Sequence, residues 1–510
     1  MKSAIKAEMY RATSLRKSSA VSIGPAALAL DDSSRVSLYR QLYEQLRTAI
    51  LDGRLPPGAR LPSTRSLAEE LAVARNTVMG AYEQLLAEGY LEGETGSGTY
   101  VARALPDKIL YAPPIARAAP KKVGVVRLSQ RGRAITDQPL GIRHAEPPRA
   151  FRPGIPAIDQ FPFGVWNRLM MKHWRRQPVD LMPYSMPGGY GPLRVAIAQY
   201  VAAARAVKCE AEQIIIVSGA QQALDVASRL LLDAGEEAWT EDPGYGGARA
   251  ALLAAGVKPV AVPVDESGLD VVAGQRLSPK ARLAYVTPSH QYPTGVVMTL
   301  ARRLELLRWA QRTRSWIVED DYDSEYRYAS RPVASLQGLD TSSRVIYCGT
   351  FSKVLFPSLR LGYVIVPAQL VEAFGRAKAV LDRHSPTVEQ AVLAEFIADG
   401  HMARHVRRMR MLYLERQNTL LEALHRELAG AVEVRSHEAG MHVLAWLAKG
   451  VRDAVVSRRA RELGVEAPAL TTYRAKPGGR PGLVLGYAAY PEKEIRVGVK
   501  KLVEAVDGRG

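Results

Sequence analysis

The 510-residue sequence predicts a multi-domain chain, with a small, mostly helical N-terminal domain of α+β class and a larger C-terminal domain of α/β class. Apolar residues recur every fourth position from Leu38, and two further short helical patterns follow, which indicates the first domain. Short apolar strands, each followed by a loop of glycine, hydroxyl or charged residues, indicate the second. The length and the hydrophobic content of 47% are sufficient for at least one large core.

Composition narrows the setting and the partners. The formal net charge is +18, and such a balance favours a polyanionic partner. The two cysteines, Cys209 and Cys348, imply no disulfide framework, so a reducing cytoplasm is expected. No stretch approaches the roughly 20 apolar residues that a membrane span requires. No metal site is predicted, and residues 1–35 read as a disordered tail without a signal peptide.

The N-terminal domain begins with an amphipathic helix that ends at Asp52-Gly53. Ser63 can cap a second helix, and a three-residue turn separates that helix from a third. This arrangement predicts a helix-turn-helix, whose second helix can lie in the major groove of DNA, although plain helix packing gives the same pattern. The predicted elements are helices at 38–50, 64–71 and 75–88 and two wing strands at 90–93 and 96–101.

The residues of this region are more specific than its geometry. Segments 61–68 (Leu-Pro-Ser-Thr-Arg-Ser-Leu-Ala), 75–78 (Arg-Asn-Thr-Val), 81–83 (Ala-Tyr-Glu) and 88–91 (Glu-Gly-Tyr-Leu) closely resemble the GntR-type winged helix-turn-helix domain. The resemblance covers residues 36–102 and implies operator double-stranded DNA as a partner. It also implies a set of DNA-contacting residues, namely Arg65, Arg75, Asn76 and Thr77, with Ser63 and Gly98 touching phosphate.

Charge is distributed unevenly around this domain. Residues 36–102 contain six arginines and eight acidic residues, a balance of −2, whereas residues 103–150 contain ten basic and three acidic residues, a balance of +7. Segment 103–150 is therefore predicted to be a basic linker. Its basic residues either attract the phosphate backbone of DNA or belong to an ordinary solvated linker. The proline and alanine content favours the second interpretation.

The larger domain is organised around Lys353, which follows an apolar strand at 345–347. An aldehyde cofactor such as pyridoxal phosphate requires an amine held beside hydroxyl groups and an arginine that can bind its phosphate. Thr350, Ser352 and Arg360 supply those groups close to Lys353 in the sequence. Taken alone, the pattern is also compatible with an ordinary surface lysine.

A second apolar strand, 316–318, runs into a cluster of carboxylates. A carboxylate at the end of a sheet strand can lie against the pyridine nitrogen of the cofactor and keep it protonated. Asp320 is the candidate for this role, with Tyr322 as the hydroxyl beside the ring oxygen. The alternative is a solvated acidic loop.

Three further strand ends carry polar or aromatic residues. Strand 214–217 enters a Ser-Gly turn and then a helix, and the first N–H groups of a helix can bind a phosphate. Tyr245 follows another strand and can stack on the cofactor ring, and the loop 288–295 follows a third. Either segment is equally compatible with a plain loop. The predicted phosphate cradle consists of the N–H groups of Gly219, Ala220 and Gln221, although many such turns bind nothing.

Together these motifs resemble the fold-type I aminotransferases over about residues 150–505. The resemblance includes segment 190–194 (Tyr-Gly-Pro-Leu-Arg) and the 33-residue step from Asp320 to Lys353. It implies a fold-type I pyridoxal phosphate-dependent transferase domain, with Lys353 as the Schiff-base lysine and Asp320 as the partner of the pyridine nitrogen. The phosphate shell it implies comprises residues 218–221, Thr350, Ser352 and Arg360.

The order of a GntR-type winged helix, a basic linker and an aminotransferase-like domain resembles the MocR family of bacterial transcription regulators. The resemblance spans nearly the whole chain, and it implies a homodimer with the large domains paired head to tail. The effector is expected to be a small amine, an amino acid or a B6 vitamer. The chain is accordingly divided into a tail at 1–35, a DNA-binding domain at 36–102, a linker at 103–150 and a cofactor-binding, effector-sensing and dimerisation domain at 151–505.

Two positions depart from working aminotransferases. Tyr292 stands where those enzymes usually have asparagine before Pro-Thr-Gly. The arginine that usually holds a substrate carboxylate is matched only by Arg480, which lies before the late strand at 483–487. Arg480 is the candidate for binding an effector carboxylate; the alternatives are that it is displaced or that the effector lacks a carboxylate. These departures favour a pyridoxal phosphate-dependent DNA-binding regulator, in which cofactor or amine binding at Lys353 modulates operator binding and turnover is inefficient. The alternative is an active aminotransferase that carries an accessory DNA-binding domain.

Overall fold

The computed structural model describes residues 28–34, 36–94, 98–105, 127–137, 149–176, 179–328 and 334–508. Contacts divide the chain into two compact units, residues 1–126 and 127–510. Among the described residues, no helix combines the length and the apolar character that crossing a membrane would require.

The first unit is a winged helix-turn-helix, as predicted. Its three described helices pack around one apolar core that includes Leu46, Leu67 and Leu85, and two strands pair antiparallel as the wing. Ser63 caps the second helix, because its hydroxyl oxygen accepts a hydrogen bond from the N–H of Ser66 at 3.1 Å. The elements are α1 (Leu38–Leu51), α2 (Thr64–Glu70), α3 (Arg75–Ala87), β1 (Leu91–Glu94) and β2 (Gly98–Val101).

The predicted disordered tail lies mostly outside the described residues. Its described end, residues 28–34, contacts α1: Leu28 is buried in the core, and the N–H of Ala29 donates to Oε1 of Gln45 at 2.9 Å. The disorder predicted for the tail therefore does not extend to this segment.

The second unit contains an eight-stranded sheet in the order β3-β10-β9-β8-β7-β4-β5-β6. Strands β5, β4, β7, β8 and β9 are parallel to one another, whereas β10 is antiparallel to both of its neighbours and β6 to β5. The strands are β3 (Ile214–Val217), β4 (Glu237–Asp242), β5 (Lys258–Asp265), β6 (Gly268–Leu269), β7 (Leu283–Val286), β8 (Trp316–Asp321), β9 (Val345–Thr350) and β10 (Gly362–Ile365).

Helices cover both faces of this sheet, which explains why its strands read as continuous apolar runs. In β3, Ile214 and Ile216 enter one core cluster, and Ile215 and Val217 enter the cluster on the opposite face. The helices are α4 (Gln130–Thr136), α5 (Phe163–Arg175), α6 (Gly191–Arg205), α7 (Ala220–Leu231), α8 (Gly246–Ala255), α9 (Val271–Leu277), α10 (Leu300–Thr313), α11 (Leu336–Leu339), α12 (Val371–Asp382), α13 (Thr387–Ala398), α14 (His401–Glu427), α15 (Asp453–Glu462) and α16 (Glu492–Asp507).

A smaller antiparallel sheet follows near the C-terminal end, in the order β11-β12-β13. It shares a core with α14, α15 and α16, to which Val443 and Leu485 belong. Its strands are β11 (Val432–Val434), β12 (His442–Leu447) and β13 (Gly482–Gly486). The start of β12 brings His442 to the large sheet, where the candidate site lies.

Part of the predicted linker is structured. Helix α4 lies within residues 103–150, packs against α8 and belongs to the second unit. Ser129 caps it by accepting from the N–H of Gly132 at 2.9 Å. Residues 106–126 and 138–148 of the linker lie outside the described part of the chain.

Candidate functional site

A cavity of about 220 Å³ lies where parallel strands of the large sheet end, the usual position of a ligand site in an open α/β sheet. Of the predicted cofactor-binding residues, only Ser218 is not part of its lining. The N–H of Ser218 donates instead to Oε1 of Gln222 at 2.8 Å. The predicted residues in the lining are Gly219, Ala220, Gln221, Tyr245, Asp320, Tyr322, Thr350, Ser352, Lys353 and Arg360.

Strand β8 ends in three consecutive carboxylates, and successive side chains of a strand point to opposite faces. The Oε1 atom of Glu319 lies 3.9 Å from Nη1 of Arg303, and Oδ2 of Asp321 accepts from Nε of Arg205 at 2.7 Å. All four side chains are buried, so these are structural ion pairs. Asp320, which stands between the two paired carboxylates, lines the cavity instead.

Asp320 is held in place by a tyrosine. The hydroxyl of Tyr285 donates to its Oδ2 at 2.8 Å, whereas its buried Oδ1 has no hydrogen-bond partner within the described part of the chain. Burial raises the pKa of Asp320 to about 7, and the hydrogen bond from Tyr285 opposes this rise. A buried acceptor of this kind can bind a protonated ring nitrogen.

We expect the free energy of unfolding of the cofactor-free protein to fall as the pH rises from about 4 to about 7, because of Asp320. Its pKa is about 7 when folded and ordinarily 3.8, so in this range the folded state holds a proton that the unfolded chain releases. The shift corresponds to a loss of roughly 4 kcal/mol in the free energy of unfolding. Urea unfolding across this range should show a smaller loss in Asp320→Asn than in the parent. Parallel curves for the two proteins would contradict the assignment.

Lys353 follows β9, and its Nζ donates to the carbonyl oxygen of Gly154 at 2.8 Å. A Cβ at Gly154, whose φ is +76°, would lie 2.9 Å from Nζ, so glycine is needed there. Burial lowers the pKa of Lys353, although Asp323 and Asp320 oppose the change. A lowered pKa increases the fraction of neutral amine, the form that attacks an aldehyde.

A set of hydrogen-bond donors lies together at another part of the cavity. Gly219, with a φ of +129°, directly precedes α7. No side chain caps the helix there, so its first N–H groups can bind a ligand. The guanidinium of Arg360 lies close to Gly219, 3.8 Å from where a Cβ would stand. Thr350 also lines this cavity, and the buried Oγ of Ser352 has no hydrogen-bond partner within the described residues. Such a group of donors can bind an anion.

Several cavity residues were missed by the sequence analysis because distant segments supply them. Tyr285 lies in a strand that reads as purely apolar, and Gly154 and His442 lie more than 80 residues from Lys353 along the chain. Tyr292, noted only as a departure, pairs its hydroxyl with that of Tyr473 at 3.1 Å. The one local signal for Tyr285 is its position, a single residue before the strand ends at Val286.

The loop 288–295 is fixed by hydrogen bonds to the ends of neighbouring strands. Nδ1 of His290 lies 2.9 Å from Oδ2 of Asp323, and Nε2 of Gln291 donates to Oε2 of Glu241 at 3.1 Å. Tyr322, which also lines the cavity, has its hydroxyl 3.1 Å from Nδ1 of His290. His290 and Asp323 form, with His442, a group whose candidate metal-ligand atoms lie within 4.8 Å of one another. We interpret this group as part of a hydrogen-bond network, because His290 pairs with Asp323 and Nε2 of His442 pairs with the carbonyl oxygen of Pro293.

The structure does not bring Arg480 to the cavity. Its Nη2 lies 2.7 Å from Oε2 of Glu433, and its guanidinium lies over the ring of Trp446 at 5.3 Å. The strand that follows, β13, places only buried apolar side chains between its terminal glycines. The prediction that Arg480 holds an effector carboxylate therefore finds no support in its position.

In the first unit, the residues predicted to contact DNA lie at the start of α2 and along it, at the start of α3 and in the wing. Arg75 and Asn76 are exposed in the first turn of α3, and Thr77 beside them is half-buried. Arg65 is exposed on α2, where its Nε lies 3.3 Å from Oε1 of Glu69. Gly98 opens the second wing strand with a φ of +121°, and a Cβ there would lie 3.1 Å from Arg60. In helix-turn-helix proteins, the first residues of the recognition helix reach base edges, and α3 is the recognition helix here.

Fold and site together define a protein that joins a winged helix-turn-helix to an aminotransferase-like domain. Comparisons with known proteins agree: residues 38–101 match the family model of bacterial regulatory proteins of the gntR family, and residues 165–502 match that of aminotransferases of class I and II. The chain is 44% identical over 479 residues to the probable rhizopine catabolism regulatory protein MocR of Rhizobium meliloti, covering 94% of this chain and 95% of the relative. It belongs to the MocR family of transcriptional regulators.

Two further comparisons separate regulators from enzymes. The pyridoxine biosynthesis transcriptional regulator PdxR of Corynebacterium glutamicum is 32% identical over 479 residues, 94% of this chain and 98% of the relative. The crystal structure of LysN, an α-aminoadipate aminotransferase of Thermus thermophilus complexed with N-(5'-phosphopyridoxyl)-L-leucine, is 31% identical with a TM-score of 0.66. It covers 70% of this chain and 92% of its own. The regulators match both domains, whereas the enzyme matches the larger one, so the chain is a DNA-binding transcriptional regulator.

Proposed function

We propose that this regulator binds pyridoxal phosphate in the cavity of its larger unit and that occupancy of the cavity modulates binding to operator DNA. One observation carries the proposal. A half-buried amine, a buried carboxylate with an oxygen that has no partner among the described residues, and a group of anion-binding donors line one cavity, as Lys353, Asp320 and Arg360 do here. These are the three groups that pyridoxal phosphate requires of a protein.

The residues present fit this cofactor, and each has a defined task. Asp320 would accept a hydrogen bond from the ring nitrogen, and Tyr285 orients it. The N–H groups at the start of α7, with Arg360, Thr350 and Ser352, would bind the phosphate, and Tyr245 would pack on the ring. When bound, pyridoxal phosphate supplies an aldehyde that combines reversibly with a primary amine, with release of water. Lys353 holds its Nζ at the carbonyl oxygen of Gly154, 2.8 Å away, and so keeps the amine in a fixed position.

The same proposal includes a homodimer with the large units paired head to tail. Several large apolar side chains of the second unit are exposed in the single chain, among them Met186 at 72%, Val380 at 87% and Met411 at 69%. Such exposure supports burial against a second copy. A dimer would present two winged domains to two half-sites of an operator in the cytoplasm.

Regulation requires that the effector bind two states of the protein with unequal affinity. Under this proposal, an amine that enters the cofactor-loaded cavity favours one arrangement of the dimer on DNA. The coupling is expected to be about 5- to 150-fold in operator affinity, as for most allosteric proteins.

The test follows cofactor loading and DNA binding in the same preparation. Duplexes that bind the parent protein are selected from random-sequence DNA, and their affinity is measured by fluorescence anisotropy before and after loading with pyridoxal phosphate. Loading is followed by the absorbance of the cofactor, and borohydride treatment followed by peptide mapping locates the attachment. We expect attachment at Lys353 and a changed operator affinity on loading or on adding amines. Loading without any change in DNA affinity under either condition would contradict the coupling.

A further inference from the structure

The cations that line the cavity are few. Within the described part of the chain, they are Lys353 and Arg360, and under the proposed function both serve the cofactor. The three middle positions of β13 are Leu483, Val484 and Leu485, all fully buried. A carboxylate on the effector would therefore be buried against this chain without a cationic partner, which is strongly unfavourable.

An acidic side chain occupies the cavity wall near the reacting amine. Asp323 is buried and lines the cavity, and of the nearby carboxylates it does most to oppose the lowering of the Lys353 pKa. Its Oδ2 lies 2.9 Å from Nδ1 of His290. Because a carboxylate oxygen accepts, we assign the ring proton to Nδ1, which donates to Asp323. An effector carboxylate close to Asp323 would be repelled, whereas a hydroxyl group could donate to it.

His442 adds a second acceptor. Its Nε2 lies 3.1 Å from the carbonyl oxygen of Pro293, and because a carbonyl only accepts, Nε2 carries the hydrogen. Burial and the neighbouring His290 and His437 hold the pKa of His442 well below its usual range, so the ring is neutral. Its Nδ1 then carries a lone pair and can accept a hydrogen bond, and His442 lines the cavity.

A pair of hydroxyls completes this wall. The hydroxyl of Tyr292 donates to that of Tyr473 at 3.1 Å, and Tyr292 packs against the ring of His442 with centroids 5.4 Å apart. The asparagine of working aminotransferases has thus been exchanged for an aromatic residue with a hydroxyl. This wall offers acceptors and hydroxyls and, among the described residues, no cation, so it favours a ligand that donates hydrogen bonds and carries no negative charge.

We propose that the effector is a primary amine that carries hydroxyl groups and no carboxylate, and that Asp323, His442 and the Tyr292 hydroxyl recognise those hydroxyls. This inference rests on the proposed function, because it assigns Lys353 and Arg360 to the binding of pyridoxal phosphate. It names the chemical class of the effector, which the resemblance to the family leaves open among amines, amino acids and B6 vitamers.

Three small amines on the same three-carbon skeleton test the inference. Serinol (2-amino-1,3-propanediol) has two hydroxymethyl groups, L-serine has a carboxylate in place of one of them, and 2-aminopropane has methyl groups instead. Each is titrated into the cofactor-loaded parent protein, with the absorbance of the cofactor and the thermal unfolding temperature as readouts. We expect serinol to bind at least about tenfold more tightly than either of the others, because a buried polar wall rejects ligands that leave it unpaired.

Two variants test whether Asp323 or Arg480 determines which amine binds. Asp323→Asn keeps the shape and a hydrogen-bond acceptor for His290 but removes the charge, and it is expected to reduce the preference for serinol over serine by about tenfold. Arg480→Ala is the matched control, and it should leave the affinities for all three amines unchanged. The unfolding temperature of each variant without ligand shows whether it is folded.

The outcomes are distinct. Serine binding as tightly as serinol, or losing affinity in Arg480→Ala, would overturn the exclusion of a carboxylate. Equal binding of 2-aminopropane and serinol would overturn recognition of the hydroxyls. Failure of the parent to load with pyridoxal phosphate appears before any amine is added, and it would overturn the proposed function and this inference with it.

Discussion

Lys353→Ala is expected to abolish the covalent retention of pyridoxal phosphate after borohydride treatment. Lys353 is the amine that lines the cavity, its Nζ is held at the carbonyl oxygen of Gly154, and burial lowers its pKa. A neutral, positioned amine reacts with an aldehyde, and alanine offers none. Mass spectrometry of the intact protein after reduction should show one cofactor per parent chain and none per variant chain.

Two controls distinguish the reactive amine from the other effects of a substitution. Lys353→Arg keeps a positive charge but cannot form the covalent bond, so it should also lose retention. Lys172→Ala removes an exposed lysine that pairs with Glu395 on the surface, so it should behave as the parent. Retention of one cofactor by folded Lys353→Ala would show that another amine carries it and would refute the site assignment.

Replacing Arg75 and Asn76 together with alanine is expected to remove nearly all sequence-specific DNA binding. Both side chains are exposed in the first turn of α3, where a recognition helix presents its residues to base edges. Each good contact of this kind contributes about 1–3 kcal/mol of discrimination, so the double variant should lose roughly 100-fold or more in operator affinity.

The matched control is Arg40→Ala, which removes an exposed arginine of the same unit from α1. Arg40 pairs with Glu44 on the surface, and it should matter little to operator affinity. Affinities are compared at a fixed salt concentration, because phosphate contacts vary strongly with salt. A double variant that binds the selected duplex as well as Arg40→Ala does would place the base-reading surface elsewhere.

Local sequence signals account for much of the fold. Three local signals determine structure in the first unit: apolar residues at every fourth position from Leu38, the capping serine at position 63 and the glycine of the wing. The observed helices and strands confirm the predicted bounds to within a few residues. In the large sheet, β-branched runs buried on both faces are equally local. Helix α4 was not predicted, because a short helix with few apolar residues resembles a linker until its packing partner is known.

The site divides along the same line. Residues that follow their own strands, such as Asp320 and Lys353, could be predicted because strand ends converge at one edge of a sheet. The pairing of Glu319 and Asp321 with distant arginines could not be predicted, and it explains why Asp320, rather than either of its neighbours in the strand, lines the cavity. Contacts between segments far apart in the chain leave no trace in local periodicity.

The apolar middle of β13 has a consequence for the timing of the response. A transaminase returns to its starting form only when a second substrate, a 2-oxo acid, enters and carries the amino group away. Among the described residues, the cavity offers no cation for that acid beyond the two that the proposed function assigns to the cofactor, so under that proposal a bound amine is expected to leave by the route it entered. Under the same proposal, the occupancy of the site is expected to follow the amine concentration in the cell at each moment, because binding does not consume the amine.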